Sequence, residues 1–268
     1  MPRSAGGGPH GLSGGSRPSL LPDPSSAERT RFFVTPLTSA APVADRAPVE
    51  LSPTAVLLDL DGTITDSAPA ITSAIAESLA AFGYPAQTPE QLLRHVGPPI
   101  RDGLLELAGV SETDLEAVVE HYRTIYAERM LDVSLYPGVP ELIRVLHAAG
   151  MPLALATSKM RHMAVPILEH AGLAQYFTVI AGATADESRS TKADIVEDAL
   201  AGLTAAGIDT SRAVMVGDRH HDVDGATTHG IPAVLVRWGY SRPGEEVGAF
   251  GVVHDAAELA AVLGVVRG

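Results

Sequence analysis

Thr54-Ala55-Val56-Leu57-Leu58-Asp59-Leu60-Asp61-Gly62-Thr63-Ile64-Thr65-Asp66-Ser67 is the stretch on which the reading of this chain turns. Ala55 to Leu58 is a short, continuous apolar run, the form of a strand buried on both faces of a parallel sheet. The run stops on a carboxylate, Asp59. A second carboxylate, Asp61, follows two residues on, and Gly62 lets the chain turn sharply enough to bring both round. A carboxylate at a strand end can attack phosphorus, and its neighbour can protonate a leaving oxygen and later activate water. Taken alone, the pair equally suits a plain turn after a strand, since Asp and Gly are common turn formers.

Working outward, the same apolar form returns in Pro152-Leu153-Ala154-Leu155-Ala156, which stops at Thr157-Ser158, and in Ala213-Val214-Met215-Val216, which stops at Gly217-Asp218. A further run, Ala233-Val234-Leu235-Val236, closes the set. Helical patterns lie between them: residues 140–149 with Leu142, Val145 and Leu146 on one side, and residues 194–203 with Ile195, Ala199 and Leu203. Strand alternating with helix predicts βαβ units, an α/β fold with an open parallel sheet. Ligands of such sheets bind beyond the carboxyl ends of the strands, where Asp59, Thr157 and Asp218 all fall.

Residues 67–135 break the alternation. Ile71, Ile75 and Leu79 are spaced as one helical stripe, and Leu115, Val118, Val119 and Tyr122 as another, so this segment reads as a helical insertion. The core is then 54–66 and 136–268. Residues 1–53 are dense in Pro, Gly, Ser and Ala, with nine prolines and no apolar period, and read as a disordered tail. The glycine clusters there are not preceded by a strand and carry no Gly-Lys-Ser/Thr ending, so they do not make a phosphate loop.

With 268 residues, 46% of them apolar, the chain can bury a sizeable core, and aromatics at 4% leave that core to aliphatic side chains. A net charge of -13 argues against nucleic acid as a partner. The absence of Cys excludes disulfides, thiolate metal sites and a cysteine nucleophile. No apolar run is long enough to span a bilayer and no signal-peptide core stands near the start, so the expectation is a cytoplasmic protein with no membrane association. It would be a monomer or homodimer.

Gly217-Asp218-Arg219-His220-His221-Asp222 places two more carboxylates four residues apart after a strand. Hard oxygen ligands without thiolates point to magnesium (Mg2+) over zinc. The same aspartates also suit a helix N-terminus, and His220 and His221 suit a solvated loop. Thr157 and Ser158 can donate hydrogen bonds to phosphate oxygens, and Lys192 supplies a positive charge. Trp238-Gly239-Tyr240 reads as packing and a turn on the side of the strand ends.

The ordered set Asp59-x-Asp61-Gly62-Thr63, Ala156-Thr157-Ser158-Lys159, Lys192 and Gly217-Asp218-x-x-x-Asp222 resembles the haloacid dehalogenase-like hydrolase superfamily, and within it the phosphoglycolate phosphatase group. The resemblance runs from Thr54 to the end of the chain. It implies a Rossmann-like core with an inserted helical cap, and a small phosphorylated metabolite as substrate. Asp59 would be the nucleophile and a metal ligand, and Asp61 the acid/base and a ligand through its main-chain carbonyl. Asp218 would complete the metal site with support from Asp222, while Gly62, Thr157, Ser158 and Lys192 would hold the phosphoryl group. Many relatives follow the third-motif lysine with proline; here Ala193 follows Lys192, which leaves Lys159 as a competing cation. Val96-Gly97-Pro98-Pro99-Ile100-Arg101 is similar to the cap loop that faces the site, with Arg101 in reach of an anionic substrate.

Competing activities are a sugar phosphomutase of the β-phosphoglucomutase type, a nucleoside monophosphate or pyrophosphate hydrolase, and an idle scaffold that only binds. Phosphonate cleavage needs a Schiff-base lysine in the cap, and residues 67–135 contain no lysine. Haloacid dehalogenation would leave Asp61 without a role.

Overall fold

The four apolar runs form the centre of a six-stranded sheet in a computed structural model that describes residues 50–265. The first half of the chain gives β1 (Ala55–Leu58), β2 (Thr65–Asp66), α1 (Ala68–Ala81), α2 (Pro89–Leu93), α3 (Ile100–Glu106), α4 (Glu112–Arg129), β3 (Ser134–Leu135) and α5 (Val139–Ala148). The second gives β4 (Leu153–Met160), α6 (Arg161–His170), β5 (Val179–Ala183), α7 (Lys192–Ala205), β6 (Ala213–Gly217), α8 (His220–Thr228), β7 (Ala233–Val236), β8 (Gly251–Val253) and α9 (Ala256–Val262). The sheet runs β5-β4-β1-β6-β7-β8 and every pairing in it is parallel.

Period-two side-chain alternation explains why the strands read as unbroken apolar runs. Val56, Leu58, Leu153, Leu155, Val214 and Val216 face one layer of helices, α5, α6 and α9. Ala55, Leu57, Ala154, Ala156, Ala213 and Met215 face the other, α7 and α8. Both faces are therefore covered, and each fully buried Leu or Val contributes about 1.5–3 kcal/mol. This is the α/β architecture that the alternation predicts. β5 and β8 are the edge strands and lie outside those four runs; Gly182 interrupts the short apolar stretch of β5, and β8 has only three residues.

Between β2 and β3 the chain forms four helices, α1 to α4. α1 packs on α4 with a core of its own, in which Ile75, Leu79, Leu104, Val118, Val119 and Tyr126 are buried. The short antiparallel pair β2–β3 brings the chain into and out of this unit side by side.

Most of the tail, residues 1–49, lies outside the described residues. Residues 50–53 do not behave as tail: Leu51 N donates to Val262 O at 2.7 Å, and Arg212 Nε donates to Ser52 O at 2.9 Å. Those partners lie 160 residues or more away in the chain, so no local pattern announces them. No helix among the described residues is long and apolar enough to cross a membrane.

Candidate active site

Strand order places the crevice at β1, where the chain, having passed through β4 and β5 on one side, crosses to β6 on the other. Asp59 ends β1, Thr157 lies near the end of β4, and Asp218 follows the last residue of β6. All three are buried. The turn that follows Asp59 is closed by Gly62 N donating to Thr65 O at 2.8 Å, with Gly62 at φ +88°. A Cβ on Gly62 would lie 2.2 Å from Asp218 Oδ2, so glycine is required there for space as well as for conformation.

Asp59, Asp218 and Asp222 converge, with one carboxylate oxygen of each within 4.8 Å of the others. Gly217 makes this approach possible, because a Cβ there would meet the Asp222 carboxyl carbon at 2.1 Å. Asp222 also caps a helix. Its Oδ2 accepts from Arg219 N at 3.0 Å at the start of α8, so the helix-capping reading and the site reading hold together. Lys192, the first residue of α7, puts Nζ 2.9 Å from Asp59 Oδ1, 2.8 Å from Asp222 Oδ1 and 3.0 Å from Ala156 O. Only the last contact has hydrogen-bond direction; the two carboxylate contacts are ion pairs, and both oxygens stay without a hydrogen-bond donor, as does Asp218 Oδ1.

Electrostatically the cluster is short of positive charge. Burial pushes Asp59 up to about 6; Lys192 opposes the rise, and Asp222 and Asp61 add to it. Asp218 is raised well above the usual carboxylate range by burial, then by Asp222 and Asp59. Burial opposes the charge on Lys192, yet Asp222 and Asp59 outweigh it and hold the ammonium above its usual range. Three buried carboxylates against one ammonium, with an oxygen of each left without a hydrogen-bond donor, is a donor set that fits a hard divalent cation.

Lys159 does not compete for this position. A register shift in the β4–β5 pairing between Thr157 and Met160 turns it away from the cluster. Its Nζ lies 3.0 Å from Asp61 Oδ2 and donates to the Tyr126 hydroxyl of α4 at 2.6 Å. The carboxylate of Asp61 thus stands apart from the group of three, at the mouth of a cavity of about 80 Å³ between core and insertion. Ser158, Lys159, Tyr122, Tyr126, Arg123 and Glu187 also line that cavity.

Several contacts depart from the expectations drawn from sequence. Arg101 does not stand free for a substrate: it pairs with Glu116 and with Glu187. His220 and His221 open α8 rather than a loop, with ring centroids 3.8 Å apart, and burial pushes His221 down to about 4. Trp238-Gly239-Tyr240 does more than pack. Tyr240 N donates to Asp218 Oδ2 at 2.6 Å, its hydroxyl donates to Asp66 Oδ1 at 2.8 Å, and Trp238 Nε1 donates to Thr63 O at 3.1 Å. Arg219, a spacer within the Gly217-to-Asp222 motif, is buried, holds Glu245 through two hydrogen bonds and donates to Val96 O in the insertion's Gly-Pro-Pro loop. An arginine directly after a motif aspartate is the only sign of this role that the sequence offers.

A family model described as haloacid dehalogenase-like hydrolase matches residues 56–236. The chain belongs to this family. It is 43% identical over 219 residues to "Tyrosine-protein kinase PtkA" of Mycobacterium tuberculosis, covering 80% of this chain and 74% of that protein. It is 34% identical over 218 residues to a phosphoglycolate phosphatase of Caulobacter vibrioides, covering 78% of this chain and 90% of that one. Among solved structures it is similar to a predicted phosphatase from Clostridium acetobutylicum, with a TM-score of 0.72 and 34% identity over 78% of this chain and 97% of the other. The phosphoglycolate phosphatase group that the motifs resemble is thus represented among its relatives.

Proposed function

We propose that the chain is a magnesium-dependent phosphatase of small phosphomonoesters that works through a phospho-aspartyl intermediate on Asp59. The observation that carries this reading is the convergence of Asp59, Asp218, Asp222 and Lys192 at the carboxyl end of β1, with Asp61 held separately at 3.0 Å from Lys159. An Asp59 oxygen attacks phosphorus in line with the ester bond, and the leaving oxygen takes a proton from Asp61. Asp61 then takes a proton from water as that water attacks the phosphorus, which releases inorganic phosphate and frees Asp59. Asp59, Asp218 and the Asp61 carbonyl would hold magnesium, with Asp222 in support; when bound, the ion neutralises charge on the phosphoryl oxygens. Lys192, Thr157, Ser158 and the turn at Gly62 hold the phosphoryl group. The insertion, residues 67–135, serves as a cap that excludes water from the leaving-group side.

A second reading, transfer of the phosphoryl group to a phenol, is favoured by the relative named as a tyrosine kinase. Both readings use the same aspartyl phosphate and differ in what attacks it.

The test is phosphate release from 2-phosphoglycolate, sugar phosphates, nucleoside monophosphates and pyrophosphate, with magnesium and with chelator, for wild type and Asp59→Asn. Magnesium-dependent release that is lost in Asp59→Asn supports hydrolysis. No release, together with radiolabel appearing on a tyrosine peptide, would replace it by the transfer reading.

A further inference from the structure

Glu187 sits in the loop between β5 and α7, five residues before Lys192, and its side chain lines the cavity that Asp61 and Lys159 enter. It is the one non-glycine residue with positive φ among the described residues, at +56°. The loop fixes it in that conformation. Glu187 N donates to Thr184 O at 3.0 Å, Thr184 N donates to Arg189 O at 3.1 Å, and Thr184 Oγ1 donates to Asp186 Oδ1 at 2.6 Å. Arg189 in turn is tied to α7 through Asp198 at 3.0 Å and Glu197 at 2.7 Å. The carboxylate so presented meets two guanidinium groups of the insertion, Arg101 of α3 and Arg123 of α4. With its side chain only 15% exposed, Glu187 is shielded from solvent that would otherwise weaken these pairs.

We infer that Glu187 is a specificity-determining residue: it occupies, as an internal carboxylate, the place beside Arg101 and Arg123 that an anionic leaving group would need. The inference rests on the phosphatase reading and names its substrate class, small phosphomonoesters whose leaving alcohol carries no negative charge. The charges at the cavity are already paired. Lys159 answers Asp61, Arg123 answers Glu187, and Arg101, outside the cavity lining, is held between Glu187 and Glu116. A substrate carboxylate entering there would face Glu187 and Asp61 without a free cation, which is discrimination by repulsion. Removing the Glu187 charge frees Arg123 as an anion subsite, while Arg101 keeps Glu116.

The experiment compares 2-phosphoglycolate with 2-hydroxyethyl phosphate, which has nearly the same size and an uncharged end. Wild type is expected to turn over 2-hydroxyethyl phosphate with the higher kcat/KM. In Glu187→Gln the ratio moves toward 2-phosphoglycolate by about tenfold or more, the effect of one well-placed charge partner. Glu187→Gly removes the same charge while suiting the positive φ, and is expected to move the ratio alike, which separates charge from backbone strain. The same ratio is measured as affinity by calorimetry in an Asp59→Asn background, where no turnover is needed. If wild type hydrolyses neither these esters nor any other phosphomonoester of the panel above, the phosphatase reading fails while the affinity ratio still decides on Glu187. An unchanged affinity ratio in both variants, or a wild-type preference for 2-phosphoglycolate, overturns the inference.

Discussion

At the carboxyl ends of β1 and β6, three buried carboxylates converge and a single ammonium pairs with two of them; in the insertion's pocket, one carboxylate from the core pairs with two guanidinium groups. The first cluster is left with oxygens that have no hydrogen-bond donor and with aspartates pushed above their usual range. The second is internally satisfied. The rigid sheet beneath the first cluster can sustain an unfavourable set of charges, because strands buried on both faces supply the stability that those charges remove. The insertion has a smaller core and carries its charges in pairs. The proposed site for a cation and a transferring phosphoryl group would rest on the first kind of support, and the proposed selective cap on the second.

The sharpest way to break this comparison is Lys192→Met. It leaves Asp59 and Asp222 with no cation, and removal of one partner from a buried ion pair costs on the order of 3–5 kcal/mol. The expected result is a thermal midpoint lower by roughly 10 °C, at about 2–4 °C per kcal/mol for a domain of this size. Magnesium-dependent turnover should fall at least about a hundredfold. Lys159→Met should cost less in both respects, since only one carboxylate, Asp61, loses its cation, together with the neutral Tyr126 hydroxyl. Equal losses would mean that the two lysines are not divided between the two clusters.

Gly62→Ala comes next. Its Cβ would collide with the Asp218 carboxylate at a backbone φ of +88°, so both overpacking and strain oppose it. A loss of roughly 2–4 kcal/mol in urea unfolding is expected, with activity reduced in the fraction that folds.

Asp218→Asn reverses the sign. Deleting one of three like charges should stabilise the metal-free protein by about 1–2 kcal/mol at pH 7.5 while removing magnesium-dependent turnover. Burial raises Asp59 to about 6 and lifts Asp218 well above its ordinary value, so the folded wild type binds more protons than the unfolded chain above the ordinary aspartate range. The stability from both groups is complete below about pH 4, the unfolded aspartate value; the Asp59 share is lost as pH rises through about 6, and the Asp218 share as pH rises through its own raised value. The advantage of Asp218→Asn should therefore open across that interval and vanish near its lower end, and saturating magnesium should erase it at neutral pH by restoring the wild type.

The same division governs what the sequence discloses. β1, β4, β6 and β7 are legible because a doubly buried strand is an unbroken apolar run, and the groups at their ends are legible because their spacing is local. β5 and β8 are not, since a glycine and a length of three residues leave no run to read. Glu187, Arg123, Arg219 and Tyr126 stay hidden for a different reason. Their partners lie 64 residues away for Arg123 with Glu187, 123 for Arg219 with Val96 and 33 for Lys159 with Tyr126, and no periodicity carries such a register. Arg101 shows the error this produces: a local motif suggests a charge free for a substrate, whereas Glu116 and Glu187, both distant in sequence, answer it.

Tyr126→Phe probes the border between the two regions and should have the smallest effect. It removes the hydroxyl that accepts from Lys159 Nζ at 2.6 Å and leaves the Lys159–Asp61 pair intact. Because the lysine keeps a charged partner, the stability change should stay below about 1 kcal/mol. Steady-state kinetics then distinguish two roles. A KM raised a few-fold at constant kcat means that the hydroxyl helps the insertion settle on the core, since only binding is weakened. A kcat lowered by the same factor means that it orients Lys159, and through it Asp61, for the proton transfers, which would place part of the chemistry on the insertion and erode the division drawn between the two regions.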